Sequence, residues 1–330
     1  MMKPYLKLLS FVKVNNSLSK LNEIFNQVNT LVKNFKVVNI TISIKYKVNN
    51  IVIYLDQPEL YQAFINSIKK LNPIPIIDGP NKAIKENSST LKSRVNNSPI
   101  LEYRVKILSG YSIVGRKTVE FGNKCTAGFW VRQQGLAYLT TAGHCAANGT
   151  LVPHESVRFY FIEPVTEKIK FFGNMTRFSI EPVDRGFILP SDGYSESPFI
   201  YSKGLKAPLF AIADFTRTPV SFAEGAILCR SGSVTGYSCG EVTSVKVKTV
   251  FFLIGYGKIN YEDLTEVSKT RGEVGDSGSP VFSFSNPLNY GTGVNLFGMM
   301  VGGFQINNTI LFLPLYKILN SDMNVITIQD

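Results

Sequence analysis

A mainly β protein, preceded by a small α/β unit, is what this chain of 330 residues predicts. Three observations carry that reading. From about residue 105 onward, short β-type runs alternate with glycines and show no helical period, the pattern of an all-β barrel or sandwich. Residues 1–77 instead show one helical period, two alternating runs and a second helical period. Between the two lies a polar stretch rich in Asn, Ser, Lys and Gly, the composition of an exposed linker.

The elements follow in order. Leu18, Leu21, Phe25, Val28, Val32 and Phe35 recur at steps of three and four, marking an amphipathic helix. Ile40, Ile42, Ile44, Tyr46 and Val48 alternate with Thr41, Ser43, Lys45 and Lys47, marking a half-buried strand. Asn49 and Asn50 suit a tight turn into a second strand over 51–55. Asp56-Gln57-Pro58-Glu59 has capping-box spacing, and Leu60, Phe64, Ile68 and Leu71 give the next helix its stripe. The expected divisions are an α/β unit over 1–77, a linker over 78–104 and a β domain over 105–330. Within the last, residues 137–140 and 247–254 read as strands, and residues 311–319 as a short C-terminal helix.

The net charge of +11 is unevenly spread. Residues 1–106 hold 16 Lys and Arg against 6 acids; the remainder holds 19 against 18. The N-terminal lysines are scattered among apolar residues, so they read as solvated faces and not as a nucleic-acid patch. No run approaches the roughly 18 apolar residues of a membrane span. The four cysteines, Cys125, Cys145, Cys229 and Cys239, all lie in the β part. They lack the closely spaced pairs of a zinc site, and no metal or organic cofactor is expected. Two local disulfides are the simpler reading, which places the chain in an oxidising compartment. Seven N-x-S/T sequons add weak support for secretion. The first dozen residues make a poor signal peptide, because Lys7 interrupts the apolar run and no small-residue cleavage site follows. Three explanations stay open: a missing signal, unconventional export, or free thiols.

The chemistry is concentrated in two stretches. Gly275-Asp276-Ser277-Gly278-Ser279-Pro280 sets a serine between glycines, where its hydroxyl can stand on a tight turn. Thr141-Ala142-Gly143-His144-Cys145 holds one of only two histidines. A serine hydroxyl becomes a nucleophile when a neighbouring base takes its proton, and histidine is the usual base near neutral pH. His154, beside Pro153 and Glu155, reads as a loop residue.

On these residues the chain resembles the chymotrypsin-like serine peptidases, and within them the bacterial-type branch that includes α-lytic protease and the streptogrisins. The resemblance spans roughly 107–330. It implies a double β-barrel with a C-terminal helix, acting as a serine endopeptidase through an acyl-enzyme. By it, His144 is the general base, Ser277 the nucleophile, and the amides of Gly275 and Ser277 form the oxyanion hole. The triad acid should lie between His144 and Ser277. Asp184, in Val183-Asp184-Arg185-Gly186, fits best; Asp214 is the runner-up, and Asp192 reads as a turn residue. The resemblance pairs Cys125 with Cys145, leaving Cys229 with Cys239. Cys229-Arg230-Ser231-Gly232 matches the branch's segment whose arginine meets the aspartate before the nucleophile, so Arg230 is assigned to Asp276. Met300, Val301, Gly302 and Gly303 correspond to the substrate wall, and Met300 suggests an apolar side chain before the scissile bond.

Two departures stand out. Val301 occupies the place of a serine that donates to the triad acid, and Ser279 that of a glycine. The layout also resembles a precursor: residues 1–77 as a pro-region that aids folding or inhibits the site, and Ile107-Leu108-Ser109-Gly110-Tyr111 as a mature N-terminus. A permanent accessory domain is the alternative. The expected partners are protein or peptide substrates and the chain's own N-terminal region; no nucleic acid, no membrane and a monomer are expected. The competing functional reading is a catalytically weak or inactive binding or decoy module on the same fold.

Overall fold

The computed structural model describes residues 13–79, 105–116, 122–146, 156–164, 166–205, 209–219, 222–253, 257–285, 293–304 and 308–330. Nearly all of the candidate linker, residues 80–104, lies outside them, as does His154.

The N-terminal unit begins with helix Leu18–Asn34, capped by Ser17, whose Oγ accepts the Lys20 amide at 3.1 Å. That bond satisfies one of the amides a helix start leaves open. The helix buries Leu21, Ile24, Phe25, Val28 and Val32, while Leu18 and Phe35, at its two ends, are exposed. Strands Ile40–Lys45 and Asn50–Leu55 pair antiparallel through a turn over 46–49 that ends on Asn49 at φ 50°. Thr41 and Ser43 are buried along with the isoleucines, so the first strand is covered on both faces and not half-buried. The expected capping box does not form. The 3-10 turn Pro58–Tyr61 starts after Gln57, which makes no side-chain cap. Helix Gln62–Ile68 follows, and strand Ile76–Asp78, which the sequence pattern missed, runs parallel to Asn50–Leu55.

The β part holds two large sheets and a short parallel pair, Val105–Lys106 with Tyr194–Ser195. In one, strands follow the order Met323–Val325, Trp130–Gln133, Leu136–Thr141, Arg185–Pro190, Ile169–Ser179, Val157–Ile162, Ser112–Arg116, Gly122–Thr126. Val157–Ile162 shows the alternation that makes it a strand: Val157, Phe159 and Phe161 are buried and Arg158 is exposed. The second sheet closes on itself. Ile227–Gly232 pairs with Gly236–Leu253, which pairs with Gly257–Ser268, then Thr309–Pro314, Gly293–Phe304 and Pro280–Phe284, which returns to Ile227–Gly232. This six-stranded barrel and the eight-stranded sheet share one apolar core, running from Trp130 and Phe159 to Phe282 and Leu313. The first half of the expected C-terminal helix is strand. Thr309–Pro314 is paired on both sides, and only Leu315–Ile318 is helical, after Pro314 ends the ladder. Ile107 is fully buried, and Ser109 and Gly110 are tied by backbone bonds to Tyr201 and Ala127.

The N-terminal unit is joined to the barrel by a continuous sheet. Ile40–Lys45 pairs antiparallel with the far half of Gly236–Leu253, in the register Ile40 with Val250 and Ser43 with Val247. Val250 packs into the N-terminal core. Thr41 Oγ1 meets Thr249 Oγ1 at 2.8 Å, Lys246 Nζ donates to Asn22 Oδ1 at 2.7 Å, and Lys45 forms an ion pair with buried Glu266.

Candidate active site

His144 lies in the 3-10 turn Gly143–Ala146, at the end of strand Leu136–Thr141. Asp184 ends the turn that leads into Arg185–Pro190, the neighbouring strand in the same sheet. Strand pairing therefore brings the two together across 40 residues. Asp184 is 1% exposed. Its Oδ1 accepts the His144 backbone N–H at 2.8 Å and its Oδ2 meets Nδ1 at 2.6 Å. One carboxylate thus fixes both the backbone and the ring of the histidine, and directs the imidazole's other nitrogen away from itself. The two alternative acids are elsewhere. Asp214 is exposed and accepts the N–H of its own neighbour Phe215, and Asp192 is exposed in a turn.

Ser277 lies in the turn before strand Pro280–Phe284, where Gly275 and Gly278 take φ of 100° and 93°. Side chains rarely adopt that region. A Cβ on Gly278 would also strike Thr126 O and Thr141 Oγ1. The turn is tied down from both sheets. Thr126 N donates to Ser277 O at 2.8 Å, Thr126 Oγ1 to Gly275 O at 2.8 Å, and Gly278 N to Met300 O at 2.8 Å. Thr126 follows Cys125, whose disulfide to Cys145 places both sulfurs within 4.8 Å of a His144 ring nitrogen. The disulfide thus links the histidine's turn to the strand whose Thr126 ties down the serine's turn. Because both sulfurs are in a disulfide, this trio offers no thiolate to a metal. Carbonyls of Gly275 and Ser277 point to these donors. Among the described residues, their amides are engaged in no hydrogen bond, which leaves two adjacent N–H groups available to an anion.

Asp276, between them, is fully buried. It accepts from Val234 N at 2.9 Å, Thr235 N at 3.2 Å, Thr235 Oγ1 at 2.6 Å and Glu273 N at 3.0 Å. Arg230, also fully buried, holds Nη1 3.4 Å from Asp276 Oδ2 and donates from Nη2 to Thr235 Oγ1. Burial lowers the Arg230 pKa, and the charges of Asp276 and Glu273 act against that shift. A Cβ on Gly232 would collide with both Asp276 Oδ1 and the guanidinium, so glycine is what lets the pair approach. The Cys229–Cys239 disulfide clasps the same hairpin, in which Ile227–Gly232 pairs with Gly236–Leu253.

The candidate wall runs along Gly293–Phe304, which is bulged against its neighbour between Met300 and Gly302. Met300 is buried in a small cluster with Leu228, Val281 and Phe312, and its methyl group lies beside Gly272. Val301 is buried in the main core, and Gly302 and Gly303 are half-buried. No helix of the described residues is long and apolar enough to cross a membrane.

No family model and no curated protein matches the chain. Solved structures do. Thermobifida fusca protease A is 21% identical over 68% of this chain and 100% of its own, with a TM-score of 0.49. Nocardiopsis protease gives 21%, 68%, 100% and 0.48. An α-lytic protease homologue, N4, gives 17%, 64%, 94% and 0.44. The geometry above, and not these likenesses, carries the functional reading. In fold, then, this mainly β chain resembles bacterial serine proteases of the chymotrypsin-like class.

Proposed function

We propose that the chain is a serine endopeptidase. The observation that carries the proposal is the buried Asp184 carboxylate holding both the amide and the Nδ1 of His144, in a molecule whose Ser277 turn is tied to the same disulfide-linked segment. Ser277 Oγ attacks a peptide carbonyl while His144 Nε2 takes its proton. His144 then returns the proton to the leaving amine, and water hydrolyses the acyl-enzyme. Asp184 stabilises the imidazolium without being protonated itself. The free amides of Gly275 and Ser277 receive the oxyanion, and the Arg230–Asp276 pair holds the loop that presents them. Since that pair is internal to the β domain, the oxyanion loop needs no freed N-terminus. An extended peptide runs along residues 300–303, with an apolar residue before the scissile bond. The N-terminal unit, docked by its strand, acts as an intramolecular folding aid or inhibitor in a precursor, and the two disulfides support the reading of an oxidising, extracellular setting.

One observation favours the second reading, a catalytically weak binding module: Val301 offers no hydroxyl to Asp184. The test is reaction of the full chain with a fluorophosphonate, before and after cleavage within residues 80–104, with Ser277→Ala as control. Labelling confined to Ser277 is expected. Absence of labelling in folded protein of both forms gives the binding module the field.

A further inference from the structure

Asp184 is buried and charged, yet both of its donors come from a single residue, His144. A carboxylate has about four acceptor positions, and a buried one that leaves them empty is costly. Tyr261 is the complementary case. It lies on strand Gly257–Ser268 opposite Thr249, 2% exposed, its ring edge-on to Phe251 at 5.2 Å. Its hydroxyl is buried and makes no hydrogen bond of good geometry. An orphaned hydroxyl costs about 1–3 kcal/mol by itself. Tyr261 and Asp184 lie within side-chain contact of each other. Burial raises the Tyr261 pKa well above its ordinary value, and the Asp184 charge, a hydrogen-bonding contact with Asp184 and the Glu181 charge raise it further. Contact and imperfect geometry agree if the phenol sits within reach of the carboxylate and a small rotation completes the bond. The phenol stays protonated under these influences, so it can only be the donor.

The backbone supports the pairing. Asn260 N donates to Glu181 Oε1, which pins the strand of Tyr261 to the turn that carries Asp184. Arg185, next to Asp184, sends its guanidinium to the carbonyls of Lys317 and Ile318 and so does not compete. Val301 shares the core with Tyr261 but has no proton to give.

We infer that Tyr261 is a positioning residue, whose hydroxyl donates to Asp184 and supplies the third hydrogen bond that residue 301 cannot. Its catalytic consequence rests on the serine-peptidase reading; the contact itself does not. The bond takes up part of the carboxylate charge and fixes the rotamer that turns Oδ2 to the imidazole. Without it, the full charge of Asp184 falls on His144 and favours the imidazolium.

The experiment compares the full chain with Tyr261→Phe, which keeps the ring. The His144 imidazole is titrated by NMR, assigned with His154→Asn, and the fluorophosphonate reaction and peptide hydrolysis are followed in the same preparations. In Tyr261→Phe the His144 pKa is expected to rise by about half a unit, with kcat down about tenfold and KM unchanged. The acid limb of the kcat/KM profile moves with the histidine. A His144 titration identical in the two proteins overturns the inference. Failure of the wild-type protein to label at Ser277 both before and after cleavage within residues 80–104 overturns the peptidase reading instead, and the titration still decides the Tyr261–Asp184 contact.

Discussion

Arg230→Met removes the cation that is ion-paired with Asp276 while nearly preserving side-chain length, so it isolates charge from cavity. The gross attraction lost is about 5 kcal/mol at an effective dielectric of 20, for the 3.4 Å separation of Nη1 and Oδ2. Breaking a buried pair typically costs about 3–5 kcal/mol, because the remaining charge is stranded. Asp276 keeps four other donors, so the low end, about 3 kcal/mol, is expected. Trp130 is the only tryptophan, and it lies in the core shared by both sheets. Its fluorescence during urea unfolding of the oxidised protein therefore reports the loss. The fluorophosphonate rate should fall as well, since Asp276 is sandwiched between the two oxyanion amides. The double variant Arg230→Met, Asp276→Asn should recover much of the stability, because replacing both partners strands no charge. An Arg230→Met protein within about 1 kcal/mol of wild type would refute the reasoning, since Asp276 would then be held by its amides alone.

Two further outcomes are expected. Lys45→Met strands Glu266, whose remaining donor is Thr243 Oγ1 at 2.9 Å; after cleavage within 80–104, the N-terminal piece should bind about 100-fold more weakly, and unchanged co-elution on size exclusion would contradict this. Gly278→Ala adds a Cβ where Thr126 O and Thr141 Oγ1 already sit, on a backbone at φ 93°; a stability loss of at least about 2 kcal/mol and no labelling of Ser277 are expected, and a normally labelling variant would show that the turn can adapt.

Much of this molecule was legible locally. Helix Leu18–Asn34 follows its three-and-four stripe closely, and the run expected over 137–140 lies within strand Leu136–Thr141. The motif segments around His144 and Ser277 could be singled out because they are local, and the segment around Arg230 through its resemblance to the family's. What could not be read depends on partners distant in sequence. Nothing within residues 40–45 says that their free edge takes residues 247–250 as its neighbour. Leu311 to Leu313 are as apolar as any helix stripe, and only pairing with strands on both sides makes them a strand. Tyr261 sits in no motif; its signal is a buried hydroxyl opposite a buried carboxylate, which exists only after folding. The failed capping box shows the reverse error, a spacing match whose turn starts one residue later, with Gln57 and not Asp56 at its cap.

The seam between the two units also sets a clock. Thr41 and Thr249, whose hydroxyls meet there, are 208 residues apart. At roughly 5–20 residues per second, a ribosome needs roughly 10–40 s to pass from one to the other. The N-terminal unit has a core of its own, to which the later chain adds Val250. It can therefore finish folding long before its neighbour strand is synthesised. During that interval the edge of Ile40–Lys45 waits for residues 247–250, so the seam can close only after three quarters of the chain has been made.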